Sequence, residues 1–217
     1  MQVQVFSDVA CPWCYLGVNR LERAAGLFAM RTGQPVDLLL RAFQLDPKAP
    51  AEPRPLLEAL AEKYGGGARV EQATARLAEE FAADGLPLDL DAAVQANTLD
   101  AHRLLTWAES IGGAPTQLAL AGELWRAHFA EGADIADATT LATRAAVVGL
   151  DVSAAEQLLA SDALSAEVAL QHQTAEELGI RSVPTVVLER TYVVTGAQTQ
   201  ATYEQVLGEV RRARAAG

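Results

Sequence analysis

The chain has 217 residues, 50% of them hydrophobic and only 6% aromatic, with 17 basic against 28 acidic residues and a formal net charge of −11. That much apolar material supports a large core, mostly of helix packing, and excludes a chain dominated by disorder. The acidic balance excludes nucleic acid and an anionic membrane surface as natural partners, because both call for clustered positive charge.

Residues 2–7 read as a first strand, with Val3 and Val5 alternating against Gln2 and Gln4. No basic, apolar leader precedes it and no stretch approaches a membrane span, so a cytoplasmic protein is expected. Paired cysteines in that compartment are more often catalytic than structural.

The two cysteines of the chain follow at once, spaced C-x-x-C in Cys11-Pro12-Trp13-Cys14. Behind them Tyr15, Val18, Leu21, Ala25 and Phe28 recur at helical spacing, so residues 12–30 read as an amphipathic helix. Cys11 then stands at the helix start, where free N–H groups and the positive dipole end stabilise a thiolate. Pro12 suits the first helical position. Cys14 lies one turn on, on the same side, and can resolve a mixed disulfide.

Two blander readings fit less well. Structural zinc wants four ligands, and His102, His128 and His172 are not spaced to complete a site. No metal is expected. A pair of inert core cysteines is poorly served by Pro12-Trp13 at a strand-to-helix switch.

Val36–Phe43, with Leu38-Leu39-Leu40, reads as a second strand buried on both faces. Prolines 47, 50, 53 and 55 then mark an irregular connection. Beyond it, helices are predicted near 55–63, 68–83, 97–110, 115–130, 137–148, 153–160 and 162–178, broken by glycine and proline. Asn97-Thr98 and Asp137 offer N-caps. Trp125 and Phe129 read as core, and His102 and Arg103 as packing or surface residues rather than substrate contacts.

Strands return at 185–188 and 192–194, before a last helix over 199–214 ending in a solvated Arg211-Arg212-Ala213-Arg214. A tight turn between the strands lacks its usual glycine or asparagine, so a longer or irregular loop is expected. The order β-α-β, helices, then α-β-β-α describes an α/β thioredoxin-like fold with a large all-helical insertion. The expected division is residues 1–50 and 180–217 as the thioredoxin part and 51–179 as the insertion, its last helix returning to the thioredoxin part.

The chain resembles the DsbA family of thiol–disulfide oxidoreductases, and within it the FrnE-like branch. The likeness rests on Ser7-Asp8 ahead of Cys11-Pro12-Trp13-Cys14-Tyr15-Leu16-Gly17, on Phe43-Gln44-Leu45-Asp46-Pro47, and on Asn97-Thr98 with Ala101-His102-Arg103-Leu104. Phe129 to Asp137, Val183-Pro184 and Gly196-Ala197-Gln198 extend it. The resemblance implies dithiol chemistry at Cys11 and Cys14 with no bound cofactor, protein or small thiols as partners, and glutathione as a candidate co-substrate. It also implies a cis Val183–Pro184 bond against the dithiol, with Pro12, Trp13, Val183 and Pro184 docking substrate. Trp13 stands where DsbA itself has histidine.

Asp8 is a candidate proton acceptor for the dithiol, or a cap for the turn that follows it. As an anion near Cys11 it would oppose the helix dipole. Two alternatives remain. One is a glutathione-dependent isomerase or transferase of the kappa and 2-hydroxychromene-2-carboxylate isomerase kind, whose members typically carry serine in place of Cys11. The other is a chaperone-like binding protein.

Overall fold

The computed structural model describes residues 1–50 and 52–216. Strand β1 (Gln2–Ser7) feeds helix α1 (Pro12–Thr32), which returns to β2 (Asp37–Ala42). A two-residue strand β3 (Arg54–Pro55) leads into α2 (Leu56–Tyr64) and α3 (Gly67–Asp84), and β4 (Val94–Gln95) pairs back on β3. Then come α4 (Leu99–Glu131), α5 (Ala138–Val147), α6 (Val152–Leu159) and α7 (Ser165–Glu177). Strands β5 (Thr185–Leu188) and β6 (Tyr192–Thr195) and helix α8 (Gln200–Ala216) complete the chain.

The main sheet has the order β2-β1-β5-β6. β1 runs parallel to β2, with Val5 opposite Leu40, and antiparallel to β5, with Val5 opposite Val186. Because side chains alternate along a strand, Val3, Val5, Leu38, Leu40, Val186 and Leu188 share one face. They pack with Leu16, Leu21 and Phe28 of α1 and Tyr203, Leu207 and Val210 of α8. Phe6 and Val187 turn to the other face, where they meet Phe43, Ile180 and Ala175 of α7. Both faces of β1 are covered, and its end delivers the Cys11 turn to the sheet's rim. This is a thioredoxin-like fold with a helix-rich insertion between β2 and β5.

Several expectations need correcting. β2 is not buried on both faces: Leu38, Leu40 and Ala42 are buried while Leu39 and Arg41 are half-buried. β2 is an edge strand, and side chains cover its free backbone. Gln117 of α4 accepts from the Leu40 N–H at 2.9 Å and donates to the Leu40 carbonyl at 3.2 Å. Gln171 of α7 accepts from the Ala42 N–H at 2.8 Å. The insertion also holds the β3–β4 ladder, so it is not purely helical.

The link between β5 and β6 is tight, with Glu189 at φ 49° and Arg190 at φ 58° and the Thr191 N–H donating to Leu188 O at 3.0 Å. The Glu189 carboxylate holds it in place, accepting from the Gln2 N–H at 3.0 Å and from Arg214 at 2.7 Å.

The expected break in the long helical run is present: Gly113 leaves helical geometry at φ 69°, ψ −165°, and divides α4. Asp137 caps α5, accepting from the Thr140 N–H at 2.7 Å. At the start of α4 it is Asn97, not Thr98, that accepts from the Leu99 N–H. Among the described residues no helix is long and apolar enough to cross a membrane.

Candidate active site

β1 ends at Ser7, and after four residues, Asp8 to Cys11, the chain enters α1. Cys11 is the N-cap, extended at φ −104°, ψ 109°, with Pro12 opening the helix. Its own carbonyl accepts from the N–H groups of Cys14 at 3.0 Å and Tyr15 at 3.3 Å. Its side chain is 5% exposed and lies 3.8 Å from the carbonyl oxygen of Val183. The Val183–Pro184 peptide is cis. Residues 11 and 183 are thus brought together across the whole insertion.

Gly17 makes that approach possible. A Cβ there would lie 3.0 Å from Pro184 Cγ and 3.2 Å from Ala197 Cα, tighter than an ordinary contact, so a larger residue would require the proline segment to give way by a few tenths of an ångström.

Cys14 is fully buried. Burial, then a hydrogen bond and the charge of Cys11, push its thiol well above its ordinary range, and the Asp8 carboxylate adds to the shift. Of the two thiols, Cys11, at the N-cap, lines the neighbouring cavity, while Cys14 is shut off from it.

A cavity of about 450 Å³ opens beside Cys11, Pro12 and Trp13. Its opposite wall is α2 and α3, through Leu56, Leu60, Val70 and Leu77. The Arg76 guanidinium lies 5.9 Å from the Trp13 ring centre, a cation–π distance that ties the rim residue to α3.

Asp8 is 1% exposed and forms the turn that the sequence allowed it. Oδ1 accepts from the Ala10 N–H at 3.4 Å, which forms the turn into Cys11. Oδ2 accepts from the Leu45 N–H at 2.7 Å. His102, placed by its sequence among packing residues, donates from Nε2 to Oδ1 at 3.2 Å. Burial works against the charge, but the bond and charge of His102, the Leu45 N–H and the Thr98 hydroxyl outweigh it, and the Asp8 pKa falls below its ordinary value. No spacing in the sequence links positions 8 and 102. The only signal was a histidine near the start of a helix already counted in the family likeness.

Trp125 and Phe129 are core, as expected. The Trp125 indole also stacks on Tyr15 at 5.7 Å and donates to the Asp8 carbonyl at 3.3 Å. Arg103 is buried and structural, donating to the carbonyls of Leu158, Ser161 and Ala163. Among the described residues no group of three potential metal ligands occurs.

Comparison with known proteins places this geometry. No curated sequence matches the chain. A probable DsbA oxidoreductase from Streptomyces coelicolor superimposes with a TM-score of 0.87 at 34% identity, over 96% of this chain and 89% of that one. A 2-hydroxychromene-2-carboxylate isomerase shares the fold at TM-score 0.72 and 19% identity, over 99% and 98% of the two chains. The cytosolic disulfide reductase DsbM from Pseudomonas aeruginosa, solved with GSH, shares it at 0.69 and 22%, over 98% and 100%. The family described as the DSBA-like thioredoxin domain matches residues 2–208, and the chain belongs to that family.

Proposed function

We propose that this protein is a thiol–disulfide oxidoreductase working through Cys11 and Cys14. The observation that carries the reading is the position of Cys11: an N-cap thiol facing the Val183 carbonyl at 3.8 Å, at the mouth of a cavity, with Cys14 sealed behind it.

The Cys11 thiolate attacks one sulfur of a substrate disulfide. A Cys11–substrate bond forms, and the other substrate sulfur leaves with the electron pair. Cys14, deprotonated, then attacks the Cys11 sulfur, the Cys11–Cys14 bond forms and the second substrate sulfur departs. The substrate gains two electrons and the dithiol loses them. Run backwards, the same steps pass the Cys11–Cys14 disulfide to a substrate dithiol. The electrons reside in the dithiol, so the reading needs no bound cofactor. Val183, Pro184, Pro12 and Trp13 are the substrate-docking residues of this proposal. Protein or small thiols are its partners. Glutathione is a natural co-substrate to try, given the DsbM structure with GSH.

The test is single substitutions followed by thiol labelling and mass analysis. Cys11→Ser is expected to abolish exchange, and Cys14→Ser to accumulate a mixed disulfide on Cys11. Exchange that survives in Cys11→Ser overturns the proposal. Equilibration with a glutathione buffer then sets the direction. A potential below about −250 mV marks a reductase suited to the cytoplasm, and one above about −180 mV an oxidase or isomerase.

The apolar lining of the cavity favours one second reading, a glutathione-linked isomerase acting on a small apolar molecule. It differs in expecting saturable glutathione binding and turnover that survives loss of Cys14.

A further inference from the structure

The cavity beside Cys11 has two unlike ends. At one stand Cys11, Pro12 and Trp13; at the other, where α2 passes into α3, stand Tyr64 and Arg69. Leu45, Leu60, Leu77 and Leu90 give the space an apolar wall. The Thr74 hydroxyl, which also lines it, is turned back on the Val70 carbonyl at 2.9 Å.

Arg69 brings an uncompensated charge to this space. Three and four positions from it stand Gly65, Gly66, Gln72 and Ala73, so no helical neighbour can pair with it. Glu62, in the last turn of α2, is taken by Arg54 at 2.8 Å. Arg69 also lies in the first turn of α3, which holds no acidic residue, and there the helix dipole adds to the positive charge. Arg76, two turns further on, is already engaged by the Trp13 ring at 5.9 Å.

The helix gives the spacing of the two ends. From Arg69 to Arg76, which marks the Trp13 end, α3 rises about 10 Å. An extended saturated chain advances about 1.25 Å per bond, so about eight bonds cover that length.

We propose that the substrate class selected by this site is a dithiol or disulfide on an apolar chain of that reach ending in a carboxylate, which Arg69 and Tyr64 bind. The inference rests on the dithiol reading above and names what that site prefers. An apolar chain gains from every methylene it lays against the leucines. Glutathione, with two amides and three charged groups, would lose water there without gaining partners, and meets Cys11 only from the rim.

In the reducing direction for the protein, one substrate thiolate attacks the Cys11 sulfur of the Cys11–Cys14 disulfide. A substrate–Cys11 bond forms, and the Cys11–Cys14 bond breaks with its pair on Cys14, which takes up a proton. The second substrate thiolate then attacks the first substrate sulfur. The substrate closes into a cyclic disulfide, and the pair departs on Cys11. The substrate loses two electrons and the protein dithiol gains them.

Dihydrolipoate is the probe, its carboxylate oxygens about seven bonds from the nearer sulfur. Dihydrolipoamide is the same dithiol with a neutral end, and dithiothreitol is short and neutral. The oxidised protein is mixed with each at about 0.15 M salt, quenched in acid at intervals, and its free thiols are labelled and counted. The net charge of −11 repels anions from the molecule as a whole, so an acid that outruns its amide reports a local site.

Dihydrolipoate is expected to react about 5-fold faster than dihydrolipoamide, the upper end for an exposed charge pair. Arg69→Gln, at an exposed position, should bring the two within about 2-fold. Ala73→Trp fills the cavity from α3 and should slow both long probes about 10-fold relative to dithiothreitol, which the loss of about two buried methylenes covers. Equal rates for acid and amide in the wild type overturn the inference. So does a preference that persists in Arg69→Gln, or a folded Ala73→Trp that treats all three probes alike. If dithiothreitol too releases no thiols, there is no Cys11–Cys14 disulfide to reduce, and it is the dithiol reading that fails.

Discussion

Asp8 keeps a charge in a place with almost no solvent because donors surround it: the N–H groups of Ala10 and Leu45, the His102 ring and the Thr98 hydroxyl. Removing one donor from a buried hydrogen-bonded acceptor costs about 1–3 kcal/mol. His102→Leu is therefore expected to lower stability by about that amount in denaturant unfolding, while His102→Gln, which keeps a donor, recovers most of it. The pH dependence has a definite sign. The Asp8 pKa is lower in the folded chain than in the unfolded one. Between the two values the unfolded state binds more protons, so stability rises with pH there. The contribution is full above the unfolded value and is lost as pH falls through the folded one. Asp8→Asn should flatten the acid limb of the stability curve by about one proton. An unchanged acid limb would mean that Asp8 does not carry the linkage.

At the scale of elements, what the sequence made legible was local. Cys11-Pro12 names a helix start because cap and first turn are neighbours in the chain, and Asp137 and the Gly113 break are read for the same reason. The β3–β4 ladder left no trace, since two residues are too few to show an alternation. The Leu38-Leu39-Leu40 run suggested a central strand because nothing in it reveals that Gln117 and Gln171, far along the chain, will cover its edge. The β5–β6 turn was hidden by residue type. Glu189 and Arg190 take positive φ, which costs an L-residue about 1–2 kcal/mol. Glu189 offsets this with its bonds to Gln2 and Arg214. Arg190→Gly should accordingly stabilise the chain by about 0.5–1 kcal/mol, the left-handed penalty less the extra chain entropy of glycine. Glu189→Gly should not, because it loses those bonds. Thermal unfolding of the two variants side by side measures the difference.

Across the whole molecule, one hydrophobic cluster joins the sheet to the insertion: Val5, Leu40 and Val186 belong to the same packed set as Leu104, Leu124, Phe129 and Leu159. A shared core of this kind couples the two parts, so the amides of β1 and of α4 are expected to exchange with the same, global opening free energy. The α2–α3 hairpin is different. α2 buries only Leu56 and Ala59, and α3 only Val70, Leu77 and Phe81. Gly65 and Gly66, both at positive φ, join them. The far end of α3 is pinned to α1, where Arg20 meets Glu80 and Asp84 and Arg23 meets Asp84. With one end pinned and little apolar surface buried, the hairpin should open below the global free energy, and native-state hydrogen exchange would show α2 and the start of α3 exchanging ahead of β1 and α4. That hairpin is the outer wall of the cavity beside Cys11. Early exchange there would mean that the wall yields to admit a folded substrate's disulfide. If α2 exchanges only by global unfolding, the cavity is fixed in size, and the disulfides that reach Cys11 are confined to small molecules and extended segments.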